Sequence, residues 1–291
     1  MTVDAAQTSA LMLSTTAAGG TAAAVTLVGG AEPRLHGNRM VRLRSPEGER
    51  TGERTVGGLG SDRLDAEAIR LLDEAIGDTR SRDGLRTVDT DGGEAELYLE
   101  VRRALRDLII VGAGHIAQPM CHLGALLGYR VTVLDDRPDF ATQERFPDAD
   151  RLVRADFSDP FAEVPIGERS HLLLVTRGHK YDYECLIRAL RTDPPPAYIG
   201  MIGSRRRVRA TYVQLLDEGI EPDLIGRIHA PVGLDIGAET PEEIAVAVAA
   251  ELVMQDRGGS GASLTDVERI PERFFAHRGK DQSTTDAEDP E

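Results

Sequence analysis

The sequence contains only two cysteines, no long apolar run and no basic segment at its start. Cys121 and Cys185 are far apart and form no Cys-x-x-Cys or Cys/His cluster, which argues against a structural zinc site and against a disulfide scaffold. Because both cysteines lie in apolar helical patterns, we expect them to be small buried core residues. A membrane-spanning helix needs about 18–20 consecutive apolar residues, and none is expected here.

An excess of positive charge is also absent. The 34 Lys and Arg residues are outnumbered by 49 Asp and Glu residues, which gives a net charge of −15 and a pI near 5.0. A protein with this charge is not expected to bind nucleic acid. The first part of the chain carries one charged group, Asp4, and does not look like a secretory signal. We therefore expect a cytoplasmic protein that does not bind membranes.

Composition and periodicity predict four segments. Residues 1–20 and 258–291 are predicted to be disordered tails, the first rich in Ala, Thr and Ser and the second acidic at its end. Residues 21–103 are predicted to form a small α+β domain, and residues 104–257 a Rossmann-like cofactor-binding domain. The smaller domain is predicted to contain a turn at Ser45-Pro46-Glu47-Gly48, a helix from Asp62 onward and strands at Ala22–Val28, Arg39–Arg44, Arg54–Leu59 and Glu94–Val101.

The larger region predicts an α/β fold. Leu108–Val111 is a continuous apolar run, typical of a strand buried on both faces of a parallel sheet. A helical stretch from Gly114 to Leu127 and a strand at Arg130–Asp135 complete a βαβ unit. The alternation continues, which predicts a doubly wound parallel sheet of the Rossmann type. Further strands are predicted at Arg151–Arg154, His171–Thr176 and Ala197–Met201, and helices at His179–Arg191, Arg205–Asp217 and Pro241–Met254.

The predicted binding site begins at the loop Gly112-Ala113-Gly114-His115-Ile116-Ala117, between the first buried strand and its helix. In a GxGxxA loop the first glycine permits the tight turn and the second lets a pyrophosphate approach the backbone. The alanine lets the helix and the strand pack closely. Asp135, at the end of the second strand, is placed to bind ribose hydroxyls. Asp136 would repel a 2′-phosphate and Arg137 would accept one, so NAD and NADP both remain open.

Two further strand ends carry basic clusters on the same predicted edge of the sheet. One is Arg177-Gly178-His179-Lys180, and the other is Gly203-Ser204-Arg205-Arg206-Arg207. Arginines in the first turn of a helix oppose its dipole, which suggests an anionic partner. The alternative is a solvated face or pairing with the protein's own carboxylates. His115 and His179 begin helices near this edge, where we expect a structural or ligand-positioning role. No catalytic residue and no metal ligand is assigned, and the common hydrolytic motifs are absent.

Four blocks of the sequence stand out, namely Leu108–Ala117, Val133–Pro138, Tyr198–Arg206 and Ala230–Ala245. They resemble the XdhC/CoxI family of molybdoenzyme accessory proteins. They occur in the family's order, and the smaller N-terminal region also resembles the family through the stretches 33–40 and 56–60. The resemblance implies a factor that binds the molybdenum cofactor and helps to insert it into a client molybdenum hydroxylase, such as a xanthine dehydrogenase or a carbon monoxide dehydrogenase.

One position departs from the family. The family commonly continues its N-terminal glycine-rich stretch as Gly-Gly-Cys-x-Glu, and here the cysteine position holds Arg63. A guanidinium cannot bind molybdenum or carry sulfur as a thiolate can, so any transfer that depends on this cysteine is in question. The alternative functions are an NAD(P)-dependent oxidoreductase, with His115, His179 or Lys180 as its acid–base group, and a non-catalytic nucleotide-binding module. The client enzyme and the oligomeric state, including a homodimer, stay open.

Overall fold

The computed structural model of the chain describes residues 3–30, 32–45, 52–78, 80–90 and 93–270. These residues form an antiparallel five-stranded sheet followed by a parallel six-stranded sheet. No helix of the described residues is long and apolar enough to cross a bilayer. The first sheet and its helices comprise α1 (Ala5–Ala17), β1 (Thr21–Gly30), β2 (Arg39–Arg44), β3 (Glu53–Gly57), α2 (Asp62–Gly77), β4 (Gly84–Thr90) and β5 (Gly93–Arg103).

The antiparallel sheet has the order β3-β2-β1-β5-β4, with β1 at its centre. Successive side chains of a strand point to opposite faces, and both faces of β1 are buried. Ala23 and Val25 pack under α2, whereas Ala22 and Ala24 pack under α1. β4 is an edge strand that the sequence analysis did not predict. The predicted turn after Arg44 lies mostly outside the described residues.

The N-terminal segment is a helix and not the disordered tail that the sequence predicted. Helix α1 begins with a capping box, in which Asp4 accepts a hydrogen bond from Gln7 N–H (2.8 Å) and Gln7 accepts one from Asp4 N–H (3.1 Å). Met12 and Thr8 are buried against the sheet. Low hydrophobicity does not prevent helix formation here, because small side chains let α1 lie close to the alanines of β1. The described part of the predicted C-terminal tail contains a short helix, α8 (Leu264–Glu268), with no buried residue.

The second sheet confirms the predicted Rossmann architecture. Its order is β11-β10-β9-β6-β7-β8 with every pair parallel, the order of the doubly wound nucleotide-binding fold. The elements are β6 (Asp107–Val111), α3 (Ala117–Leu126), β7 (Arg130–Asp135), β8 (Arg151–Arg154), β9 (Ser170–Leu174), α4 (His179–Arg191), β10 (Tyr198–Met201), α5 (Arg205–Asp217), α6 (Pro222–Ile225), β11 (Ile228–His229) and α7 (Pro241–Arg257).

Strand β6 is buried on both faces, which explains its continuous apolar run. Leu108 and Ile110 pack in the core beneath α3 and α7, whereas Ile109 and Val111 pack in the core beneath α4 and α5. The crossovers at residues 136–150 and 155–169, which are fully described, contain no helix. Strand β8 is therefore covered by loops, and these loops form part of the cavity described below.

Helix α1 yields a stability prediction that separates a packed helix from a disordered tail. Met12 is 5% exposed and its neighbour Leu13 is 71% exposed. Met12→Ala should lower the free energy of unfolding by about 2–5 kcal/mol, because it leaves a cavity between α1 and the sheet. Leu13→Ala, the matched control, should change it by less than about 0.5 kcal/mol. Urea unfolding followed by circular dichroism measures both, and equal effects would contradict the packing of α1.

Candidate functional site

The site lies at the carboxyl ends of the parallel strands, where the strand order reverses between β6 and β9. Ligands of open α/β sheets bind in the crevice at such a switch point. A cavity of about 210 Å³ opens there, and we call it the loop cavity. Six of the residues predicted from sequence line it, namely Gly112, Gly114, His115, Asp135, Asp136 and Arg137. The others are Phe140, Arg145, Phe157, Val175, Thr176, Arg177 and Tyr181.

The two glycines of the loop have different structural roles. Gly112 has a φ of +107°, and a Cβ there would lie 2.7 Å from the carbonyl oxygen of Val175. Only glycine allows the backbone to pass so close to Val175, in the loop after β9. A Cβ at Gly114 would meet no described atom within 4 Å, so its backbone is open to a ligand. Ile116 is the N-cap of α3 without a side-chain cap, and Ala117 is buried in the core.

Asp135 is 2% exposed, and its carboxylate is fully engaged within the protein. One oxygen, Oδ2, accepts hydrogen bonds from Ala113 N–H (2.7 Å) and Arg137 Nη2 (2.9 Å). The other, Oδ1, accepts from Arg137 N–H and Nε (both 2.9 Å). Burial would raise the pKa of Asp135, but the hydrogen bonds from Arg137 and Ala113 outweigh it and lower the pKa to about 2.

A second ion pair, Arg177 with Asp136, lines the loop cavity. The guanidinium of Arg177 binds both carboxylate oxygens of Asp136 at 2.7 Å and donates to the hydroxyl of Tyr181 at 2.6 Å. Tyr181 in turn packs edge-on against Phe157, with ring centroids 4.6 Å apart. Asp136, Phe157 and Tyr181 also line a second cavity, which has a volume of about 610 Å³. Its other lining residues are Arg154, Ala155, Asp156, Ser158, Lys180 and Glu184.

The third arginine of the cluster at the start of α5 is structural. Arg207 donates through Nε to Asp182 (2.7 Å) and through Nη2 to the hydroxyl of Thr176 (2.9 Å), and Thr176 donates to Asp182 at 2.6 Å. Asp182 is fully buried, and burial raises its pKa against the opposing effect of Thr176 and Arg207. This triad joins the loop after β9 to α4 and to the start of α5, and it holds Thr176, which lines the loop cavity.

Several predicted site residues lie outside the loop cavity. Arg205 and Arg206 are exposed and make no hydrogen bond or ion pair with any residue of the described ranges. Ser204 caps α5 by accepting from Arg207 N–H (3.3 Å). His179, Gly203 and these two arginines do not line the cavity. Conversely, sequence reasoning missed Phe140, Arg145 and Phe157, because the crossovers that carry them have no helical or strand periodicity.

Neither of the two cysteines lines the loop cavity. Cys121 and Cys185 are buried in the two cores that flank the sheet. Burial raises the pKa of the Cys121 thiol to about 12 and that of Cys185 further, so both are thiols at neutral pH. Within the described ranges, no three His, Cys, Asp or Glu side chains are grouped so that they could hold a metal ion.

The carboxylate of Asp135 yields a prediction for stability against pH. Its pKa in the folded protein is below the value of 3.8 for a free side chain. Ionised Asp135 therefore stabilises the fold above that value, and the contribution is lost as the pH falls towards 2. Asp135→Asn should lower the free energy of unfolding by about 2 kcal/mol at pH 7, and the difference from wild type should shrink below about pH 4.

The control is Asp139→Asn, an exposed carboxylate in the same crossover, which should change stability by less than about 0.5 kcal/mol. Urea unfolding of the three proteins across pH 3–7 measures the effect. A constant difference between Asp135→Asn and wild type over that range would contradict the assigned ionisation.

Comparison with known proteins places this geometry in a family. Residues 108–252 match the family described as the XdhC Rossmann domain. The uncharacterized protein YqeB of Escherichia coli (strain K12) is 30% identical over 239 residues, which cover 80% of this chain and 42% of that protein. A protein of Bacillus subtilis (strain 168), named as a probable xanthine dehydrogenase subunit, is 37% identical over 149 residues. That match covers 50% of this chain and 42% of the Bacillus protein.

The chain thus spans less than half the length of these curated relatives. A solved structure from Bacillus halodurans, described as a xanthine dehydrogenase, is 20% identical with a TM-score of 0.49, and the match covers 89% of this chain and 98% of that one. The matched family domain begins in β6 and ends in α7, so it contains every residue that lines the loop cavity. The chain belongs to the XdhC family, and residues 108–252 are its XdhC Rossmann domain.

Proposed function

We propose that this protein is an accessory factor that binds the molybdenum cofactor and assists its insertion into a molybdenum hydroxylase of the xanthine dehydrogenase or carbon monoxide dehydrogenase type. One observation carries the proposal: the XdhC Rossmann domain match covers the same residues that build the loop cavity. The Bacillus subtilis relative is named as a probable part of xanthine dehydrogenase, which supports a role beside such an enzyme.

The chemistry of the cavity suits the phosphate of this cargo. The molybdenum cofactor is a pterin with an anionic phosphate tail, and backbone N–H groups at a helix start are natural phosphate ligands. Gly114 leaves the loop backbone open at the start of α3. Arg137, Arg145 and Arg177 add three guanidinium groups around the same cavity. Charge-assisted hydrogen bonds from arginine favour a phosphate strongly.

The molybdenum end of the cargo has no thiolate partner in the described residues, because both cysteines are buried as thiols. Arg63, at the family's cysteine position, lies in the first turn of α2. It lines a separate cavity of about 380 Å³ beside Gly29, Gly30 and Ser61. We therefore propose that this chain holds its cargo through the phosphate end, and that any sulfur chemistry is supplied by another protein.

The first functional prediction concerns Gly114. Gly114→Asp should leave the fold intact, because its side chain enters open space, and should weaken binding of the cofactor at least about tenfold by placing a negative charge beside the phosphate. Gly114→Ala should bind nearly as wild type, and Gly77→Asp, at another open glycine in α2, controls for the added charge. Affinity would be measured anaerobically with cofactor released from a purified molybdenum hydroxylase. Wild-type affinity in a folded Gly114→Asp variant would contradict the site.

The second functional prediction concerns the client. An accessory factor acts on cofactor occupancy and not on synthesis of the polypeptide. Deletion of the gene should therefore leave the hydroxylase polypeptide near its normal abundance, with low molybdenum content and low activity. Quantitative immunoblotting and metal analysis of the purified hydroxylase measure the two quantities. Full molybdenum occupancy in the deletion strain would refute the proposal.

A second strain tests Arg63. If transfer depends on the family's cysteine, this chain should fail to complement a strain that lacks a cysteine-bearing relative, and Arg63→Cys should restore hydroxylase activity. An oxidoreductase would behave differently, because it would turn over NAD(P)H and its loss would leave molybdenum occupancy unchanged.

A further inference from the structure

The loop cavity differs from a typical NAD site in the hydrogen bonding of its acidic residue, Asp135. In Rossmann enzymes that use NAD, the carboxylate that ends the second strand accepts hydrogen bonds from the ribose hydroxyls. A carboxylate offers about four lone-pair positions. Asp135 has four internal hydrogen bonds, three from Arg137 and one from Ala113. No acceptor position remains for a ribose diol.

Arg137 keeps unused donors while it holds Asp135. A guanidinium has five N–H groups, and Arg137 uses its Nε–H and one Nη2 hydrogen on the carboxylate. Its Cζ lies 3.5 Å from the ring centroid of Phe140, and that of Arg145 lies 4.7 Å from the same centroid. Phe140 thus gathers two guanidinium groups in one wall of the cavity.

The balance of charge around the cavity favours an anion. Both acids that line it are already neutralised, Asp135 by Arg137 and Asp136 by Arg177. Arg145 donates only to the carbonyl oxygen of Ala113 and forms no ion pair within the described ranges. The lining therefore has one cation more than its anions, and this cation, Arg145, contacts the same Phe140 ring as Arg137.

We propose that the loop cavity excludes NAD(H) and selects ligands that place a phosphate monoester where NAD places its ribose diol, with Arg137 as the specificity-determining residue. Among dinucleotides the cavity then prefers NADP(H), whose 2′-phosphate is such a monoester. The inference rests on the proposed function in one respect, because it takes the loop cavity as the site of the phosphate-bearing end of the cargo.

The test compares nucleotide probes on the full chain by isothermal titration calorimetry. Wild type should bind NADP⁺ at least about tenfold more tightly than NAD⁺, and 2′,5′-ADP more tightly than 5′-ADP by a similar factor. It should bind 5′-ADP and 2′-deoxy-5′-ADP equally, because internal hydrogen bonds occupy every acceptor position of Asp135. Tighter binding of NAD⁺, or a loss of affinity with the 2′-deoxy probe, would overturn the proposal.

Arg137→Met tests the mechanism by a gain of function. It keeps an unbranched side chain against Phe140 and releases both side-chain hydrogen bonds on Asp135. This variant should lose the preference for NADP⁺ and should bind 5′-ADP at least about fivefold more tightly than 2′-deoxy-5′-ADP. Arg145→Met is the matched control, because Arg145 also stacks on Phe140 without touching Asp135. It should weaken NADP⁺ binding without creating any dependence on the 2′-hydroxyl.

If Arg137→Met does not fold, Arg137→Lys provides the second test, since an ammonium keeps the charge but cannot form the paired contact with Asp135. Unchanged nucleotide preferences in the variants, or no binding of any probe by wild type, would refute this inference. Neither result would bear on molybdenum occupancy in the deletion strain, so the two proposals fail separately.

Discussion

The loop cavity depends on the hydrogen bonds of one buried carboxylate, that of Asp135. It lies at the end of β7 and binds the N–H of Ala113, which belongs to the loop after β6. A charge with so little exposure is tolerated only when every lone pair has a donor, and Arg137 supplies the remaining donors. The carboxylate therefore fixes the glycine-rich loop after β6 and holds Arg137 over Phe140 at the same time. Asp135, which the sequence predicted to bind ribose hydroxyls, is bonded here to donors of the protein itself.

A second buried carboxylate plays the corresponding role on the other side of the cavity. Asp182 joins Thr176 to Arg207 and so ties the β9 loop to the start of α5. A more exposed ion pair, Arg177 with Asp136, lines the loop cavity, and Asp136 also lines the larger cavity beside β8. The two buried pairs thus hold loops that line the cavity, and the exposed pair belongs to its lining. Exposed ion pairs contribute little to stability, so Arg177 with Asp136 is the least costly of the three to separate.

In both sheets, helices cover the two faces of a central strand. In the larger sheet, α3 and α7 cover one face of β6, and α4 and α5 cover the other. In the smaller sheet, α1 and α2 do the same for β1. Such strands are uninterrupted apolar runs, and the run Ala22–Val25 already carried this signal for α1. The many Ala, Thr and Ser residues at the start of the chain obscured this signal, because small side chains have low hydrophobicity even where they pack closely.

The sequence by itself determined the Rossmann architecture and the place of the glycine-rich loop after β6. Three features could be located from residue order alone because each depends on a local requirement. Strand β7 is a parallel strand buried on both faces, Gly112 needs a positive φ, and α7 begins with a cap. The tertiary structure alone decided which charges are free. Arg205, Arg206 and Arg207 look equivalent in sequence, yet Arg207 is captured by Asp182 and the other two face solvent. Pairing of this kind depends on distances between segments far apart in the chain, and no local pattern encodes those distances.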